Sequence, residues 1–196
     1  MLFNWNKNMR YILITGCGGF IGFHVAKYFL KNKKNKIIGI DNLNSYYDKK
    51  LKVDRIKQLI LKGKKNFVYY KKDLRDRKVL SKIFRENKIE YIFHFAAQAG
   101  VRHSLNKPID YIDNNILAFL NILEEIKLKK IKHLIYASTS SVYGESKNYP
   151  LKESSDTNKP IQFYAVSKKT NELMAYAYNK LYNLNLTGLR FFTIYG

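Results

Sequence analysis

Residues 10–22 read RYILITGCGGFIG and run on into FHVAKYFLKN at 23–32. The first six are a short aliphatic and β-branched run, a glycine cluster interrupts it, and the remainder places apolar side chains at helical spacing. Strand, tight turn and helix therefore follow one another directly. Gly16, Gly19 and Gly22 fit G-x-x-G-x-x-G, whereas the tighter G-x-G-x-x-G beginning at Gly16 fails at Ile21. In such a loop the first glycine permits the sharp turn, the second lets backbone approach a pyrophosphate, and the third allows close packing. The anion then sits on the helix N-terminus, where free N–H groups and the dipole favour it. A bare tight turn would explain the glycines equally well, so position decides. Asp41 lies 19 residues beyond Gly22, at the end of the next apolar run, KIIGID at 36–41, as a ribose-binding acid should. An acid there accepts a ribose 2′-hydroxyl and repels a 2′-phosphate, and Asn42 rather than Arg follows it, which favours NAD over NADP.

Outward from this unit the alternation continues. Residues 51–61 have helical periodicity, 67–70 read as strand, 76–87 as helix and 91–95 as strand. Pro108 suits a first helical turn and opens a helix through 109–129; strand 133–137, helix 162–182 and strand 186–192 follow. Six strands alternating with helices, most of them apolar on both faces, predict a doubly wound parallel α/β sheet, a Rossmann-type domain over 10–196 after a tail at 1–9. Ligands of such sheets bind beyond the carboxyl ends of the strands.

The chain of 196 residues, 46% apolar and 26% charged with 10 Gly and 3 Pro, can build a core and is neither low-complexity nor collagen-like. No apolar run approaches the ~18–20 residues that span a bilayer, and residues 1–10 lack a secretory signal's apolar stretch, so a cytoplasmic protein without a membrane partner is expected. The single Cys17 excludes an internal disulfide, and His24, His94, His103 and His133 have no ligand-like spacing, so no metal is expected. Cys17 stands at a helix N-terminus, where a thiol pKa can fall, but a small side chain filling a tight loop is the plainer reading. The net charge of +21 invites a nucleic-acid reading. However, the cations are 29 Lys and 7 Arg, and the lysines fall in blocks at 31–36, 62–65 and 127–132 that look like helix ends and turns. A solvated surface is the better reading, and no nucleic-acid partner is expected.

The fifth strand ends in ASTSSVYG at 137–144, and YAVSK follows at 164–168. Tyr164 and Lys168, at i and i+4, share one helix face. A tyrosine serving as base near pH 7 needs its pKa lowered by about 3 units, and a neighbouring lysine cation supplies a shift in that direction. Thr139 would complete the set by hydrogen bonding the reacting hydroxyl.

Together these residues resemble the extended short-chain dehydrogenase/reductase family, the NAD-dependent nucleotide-sugar epimerases and dehydratases, over 10–196. The stretches that carry the resemblance are TGCGGFIG (15–22), DNLNSYYD (41–48), Asp73-Leu74, HFAAQAGVRHS (94–104), DNNILAFLNILE (113–124), STSSVYG (138–144), YAVSK (164–168) and LRFFTIYG (189–196). Among its subfamilies the chain is most similar to the UDP-glucuronate 4-epimerases, through DNLNSYYD, AAQAGVR and RFFTIYG. The resemblance implies NAD contacts from Gly16, Gly19, Phe20, Ile21, Asp41, Asn42, Asp73, Leu74, Ala96, Ala97, Gln98 and Asn115, and from Tyr164 and Lys168. It implies a catalytic triad of Thr139, Tyr164 and Lys168, with Arg102, Ser140, Ser141 and Thr193 on the side of a UDP-sugar substrate. The dehydratases and decarboxylases it resembles carry an acid two residues after this Thr. Here Ser141 stands there, which counts against elimination and for epimerisation. Family members continue past the YG of residues 195–196 into a smaller substrate domain, which is expected to be absent from this chain, so a partial enzyme that binds NAD but epimerises poorly alone is expected. The resemblance further suggests a homodimer through helices 109–129 and 162–182. UDP-glucose 4-epimerase, another NAD-dependent nucleotide-sugar enzyme, or a non-catalytic NAD-binding module are the alternatives.

Overall fold

The protein is described from a computed structural model, covering residues 9–146 and 149–195. Except for Met9, the expected tail at 1–9 lies outside the described residues. Six strands, β1 (Arg10–Thr15), β2 (Asn35–Ile40), β3 (Phe67–Tyr70), β4 (Tyr91–His94), β5 (His133–Thr139) and β6 (Leu186–Phe191), pair in parallel in the order β3-β2-β1-β4-β5-β6. That is the order of a Rossmann sheet, in which the direction of winding reverses between β1 and β4.

The alternation of side chains along β1 accounts for the two covering layers. Ile12 and Ile14 point to the face packed by Phe23, Ala26, Ile56 and Leu59, from α1 (Phe20–Phe29) and α2 (Lys49–Gly63). Tyr11 and Leu13 point to the other, packed by Leu80 and Ile83 of α3 (Arg77–Glu86) and by Phe119 and Ile122. Each fully buried Leu or Ile contributes roughly 1.5–3 kcal/mol, so a strand apolar on both faces is held from both sides. β6 departs from that pattern: it pairs only with β5, and Thr187 and Gly188 are exposed.

Helix ends follow local chemistry. Asp48 caps α2 by accepting the Lys50 N–H at 2.7 Å, so the helix begins before the expected residue 51. Asp76 caps α3 through the Val79 N–H at 3.1 Å. The helix expected over 109–129 is a composite: α5 (Pro108–Tyr111), a wider π-helical segment (Ile112–Leu117) and α6 (Ala118–Ile126). The π segment carries Asn115, whose side chain is buried and bonds three groups outside the helix. A six-residue helix, α4 (Val101–Asn106), lies in a stretch without an expected element, and α7 (Phe163–Tyr182) falls within one residue of expectation. No helix among the described residues is long and apolar enough to cross a membrane.

Candidate active site

The carboxyl ends of β1, β2, β4 and β5 open onto two adjoining cavities, of about 140 and about 350 Å³. Gly16, Gly19, Tyr47, Phe95, Ala97 and Ala99 line both, so the two meet over the glycine loop. Gly16 has φ +69°, and a β-carbon there would come within 2.7 Å of the Ala96 nitrogen; one on Gly22 would collide with the Gly16 carbonyl oxygen. The first and third glycines are thus required by sterics. Gly19, at the N-cap of α1, leaves the helix entrance without a capping side chain. Cys17 is fully buried, burial and the neighbouring Asp41 charge push its thiol pKa up, and its sulfur packs against Gly39; it fills the loop.

Asp41, Asn42, Asp73 and Leu74 line the smaller cavity together with Ala96. The Asp41 carboxylate accepts the Gly18 N–H at 3.0 Å and the Leu43 N–H at 2.8 Å, which fixes it beside the glycine loop. Asn42 donates to Asp73 at 3.1 Å, and hydrogen bonds from Arg75 and Asn42 hold the Asp73 pKa down at about 2 despite its partial burial.

Phe20, Ile21, Thr139, Tyr164 and Lys168 line the larger cavity. Thr139 is the last residue of β5, so the strand runs two residues beyond expectation and delivers it to the rim. Its Oγ1 accepts the Ser141 N–H at 3.2 Å. Lys168 is buried and donates to the Ala137 carbonyl at 2.9 Å. Burial lowers the Lys168 pKa to about 8 and raises that of Tyr164, which a hydrogen bond to Thr139 only partly offsets. The direction for Tyr164 is opposite to the one expected from a neighbouring cation. Desolvation penalises both charged forms at once, and a neutral carbonyl cannot hold the lysine fully charged.

Gln98 and Asn115 are behind the wall of the groove, lining neither cavity: the Gln98 N–H donates to Asn115 Oδ1 at 2.7 Å, and Asn115 Nδ2 donates to the Gln98 carbonyl and to Ser167 Oγ. Arg102, Ser140, Ser141 and Thr193 also line neither cavity, Arg102 and Thr193 being exposed. The cavities include residues that sequence reasoning missed, chiefly Tyr46, Tyr47 and Lys52. A signal existed for the last: Lys52, Ile56, Leu59 and Gly63 share the buried stripe of α2, and a lysine in such a stripe needs a reason.

A parallel sheet in this order, with a side-chain-free helix entrance between a carboxylate and a half-buried Tyr164 beside a buried Lys168, is a Rossmann-type domain. The chain belongs to the NAD-dependent epimerase/dehydratase family of extended short-chain dehydrogenases/reductases. Residues 13–196 match the family model described as GDP-mannose 4,6 dehydratase. The chain is 49% identical over 185 residues to protein CapI of Staphylococcus aureus, covering 94% of this chain and 54% of that protein. It is 42% identical over 188 residues to a UDP-glucuronate 4-epimerase of Thermodesulfobacterium geofontis, covering 96% and 57%. The solved structure of UDP-glucuronic acid 4-epimerase from Bacillus cereus in complex with UDP-glucuronic acid and NAD superposes with a TM-score of 0.87 at 35% identity, covering 95% of this chain and 57% of that one. The chain spans about half the length of the curated relatives it matches.

Proposed function

We propose that this chain is the cofactor-binding and catalytic part of a nucleotide-sugar 4-epimerase that interconverts UDP-glucuronate and UDP-galacturonate with bound NAD. The observation that carries the reaction type is the lining of the larger cavity: among the described residues it holds Thr139, Tyr164 and Lys168 but no carboxylate. Elimination needs a further acid/base, as a dehydratase would use, whereas oxidation and re-reduction at one carbon needs a single proton acceptor. The named relatives at 42% and 35% identity support the choice of substrate.

In this reading Asp41 receives the adenosine ribose, Asn42, Asp73, Leu74, Ala96 and Ala97 complete that subsite, and Gly16, Gly19, Phe20 and Ile21 take the pyrophosphate and the reach beyond it. Gln98 and Asn115 fix the wall behind. NAD, when bound, supplies the hydride acceptor and donor. Tyr164 removes the proton of the sugar 4-hydroxyl and later returns it, Thr139 orients that hydroxyl, and Lys168 supplies the positive charge that favours the phenolate. Arg102, Ser140, Ser141 and Thr193 belong to the sugar side, and two copies pair through helices α5–α6 and α7.

Incubation of the chain with NAD and UDP-glucuronate, with chromatographic separation of UDP-galacturonate, tests this. Slow conversion that Tyr164→Phe abolishes is the expected result. Conversion of UDP-glucose alone would reassign the substrate, and NAD binding without conversion of either sugar would leave a cofactor-binding module.

A further inference from the structure

The segment 42–48 leaves the end of β2 and enters α2 at Lys49. In the sheet, β2 and β4 flank β1, whose carboxyl end carries the glycine loop. Tyr46 reaches over to the loop after β4: its ring meets His103 edge-on at 5.3 Å between centroids, and a β-carbon on Gly100, which has φ +98°, would overlap the Tyr46 hydroxyl. The Tyr46 side chain thus spans from the β2 side to the β4 side, across the glycine loop between them. Tyr47 stands beside that loop, with its hydroxyl 3.7 Å from where a β-carbon on Gly19 would stand, and it lines both cavities.

The two ends of the crossing differ. At the root, Asp41 Oδ1 accepts the Leu43 N–H at 2.8 Å and Asn42 Oδ1 accepts the Asn44 N–H at 3.0 Å. Lys52 Nζ donates to the Asn44 carbonyl at 3.0 Å and stands 4.3 Å from the Tyr47 ring centre. The tip rests on aromatic packing against Gly100 and His103, with Tyr46 itself 43% exposed. The root of this strap is thus held by hydrogen bonds and its tip by side-chain packing.

We propose that Tyr46, seated on Gly100 and His103, latches this strap over the pyrophosphate of the bound dinucleotide and sets how long the cofactor stays. This rests on the NAD reading above. The chemistry gives retention a purpose: a hydride taken from the sugar must be returned by the same cofactor molecule, and release in between would strand the oxidised sugar. Tyr46 and His103 are positioning residues here, acting on the lifetime of the complex.

The chain is loaded with NADH and mixed with excess NAD, and the loss of bound-NADH fluorescence gives the dissociation rate. Tyr46→Ala and His103→Ala, which remove the latch from its two sides, are expected to release NADH about ten-fold faster than wild type, the scale of one aromatic contact. Tyr28→Ala, on the exposed face of α1 and lining neither cavity, is expected to match wild type. Release at the wild-type rate by either latch variant, with its fold verified by circular dichroism, overturns the strap while leaving NAD binding intact. Failure of wild type to bind NADH overturns the cofactor reading and the strap with it.

Discussion

Lys168 is 2% exposed, and its ammonium is bonded to a backbone carbonyl rather than to a carboxylate. A side chain placed so is a cost to the fold, one that its proposed role in the site would explain. Its pKa falls from 10.5 to about 8, so the unfolded chain binds the proton more tightly than the folded one. The penalty is therefore in force below about pH 8 and is relieved as pH rises from there toward 10.5. At 1.36 kcal/mol per unit it amounts to about 3 kcal/mol, from which the lost hydrogen bond subtracts about 1. Lys168→Met, similar in length and apolar, is accordingly expected to be more stable by about 2 kcal/mol at pH 7, a melting temperature roughly 4–8 °C higher, while losing turnover. Thermal melts at pH 7 and pH 10 check both the sign and the cause, because the gain must shrink at the higher pH. A variant less stable than wild type at pH 7 would mean that the bond to Ala137 outweighs desolvation.

At the scale of elements, what the sequence shows depends on how local the determining interactions are. Strand β1, the glycine turn and α1 are legible because their reasons lie within residues 10–29: apolar alternation, a positive φ at Gly16 and a crowded Gly22. Asp41 and the Tyr164/Lys168 pair are legible because spacing fixes their places. The π-helical segment is not, since it carries Asn115, whose partners Gln98 and Ser167 lie 17 and 52 residues away. Nor is the place of Tyr46, which depends on a glycine in a different loop. Helix α7 presents Leu173 and Tyr176 to solvent, and the composite α5–α6 helix presents Ile109 and Leu117. Two elements thus carry apolar residues on their outer faces, which the proposed second copy would cover. Leu173→Glu is expected to convert a dimer to a monomer in analytical ultracentrifugation, with the far-ultraviolet circular dichroism unchanged. A wild-type chain that sediments as a monomer at all concentrations would remove this interface.

Over the whole molecule the dominant fact is 36 cations against 15 carboxylates. Ion pairs such as Arg190–Glu172 at 2.9 Å and Lys132–Glu90 at 3.0 Å use the acids that exist, but pairing cannot absorb a surplus of +21. The radius of gyration expected for a domain this size is about 16 Å. At about 10 mM salt the screening length is about 30 Å, so every lysine repels every other across the molecule; at about 150 mM it is about 8 Å, and only neighbours interact. Exposed ion pairs lose at most about 1 kcal/mol each over the same change, and several are already largely solvated. Relief of the global repulsion should therefore win, and the melting temperature is expected to rise by several degrees between 10 and 150 mM NaCl. Chloride is the appropriate salt because sulfate would stabilise by surface exclusion and hide the screening. A falling melting temperature would show that the acids, few as they are, hold the surface together more strongly than the excess lysines push it apart. The same surplus would attract the dinucleotide and the nucleotide sugar proposed above, both anionic. Salt should thus slow cofactor association even as it stabilises the fold, and that opposition separates screening of the molecule's own charge from any general effect on its packing.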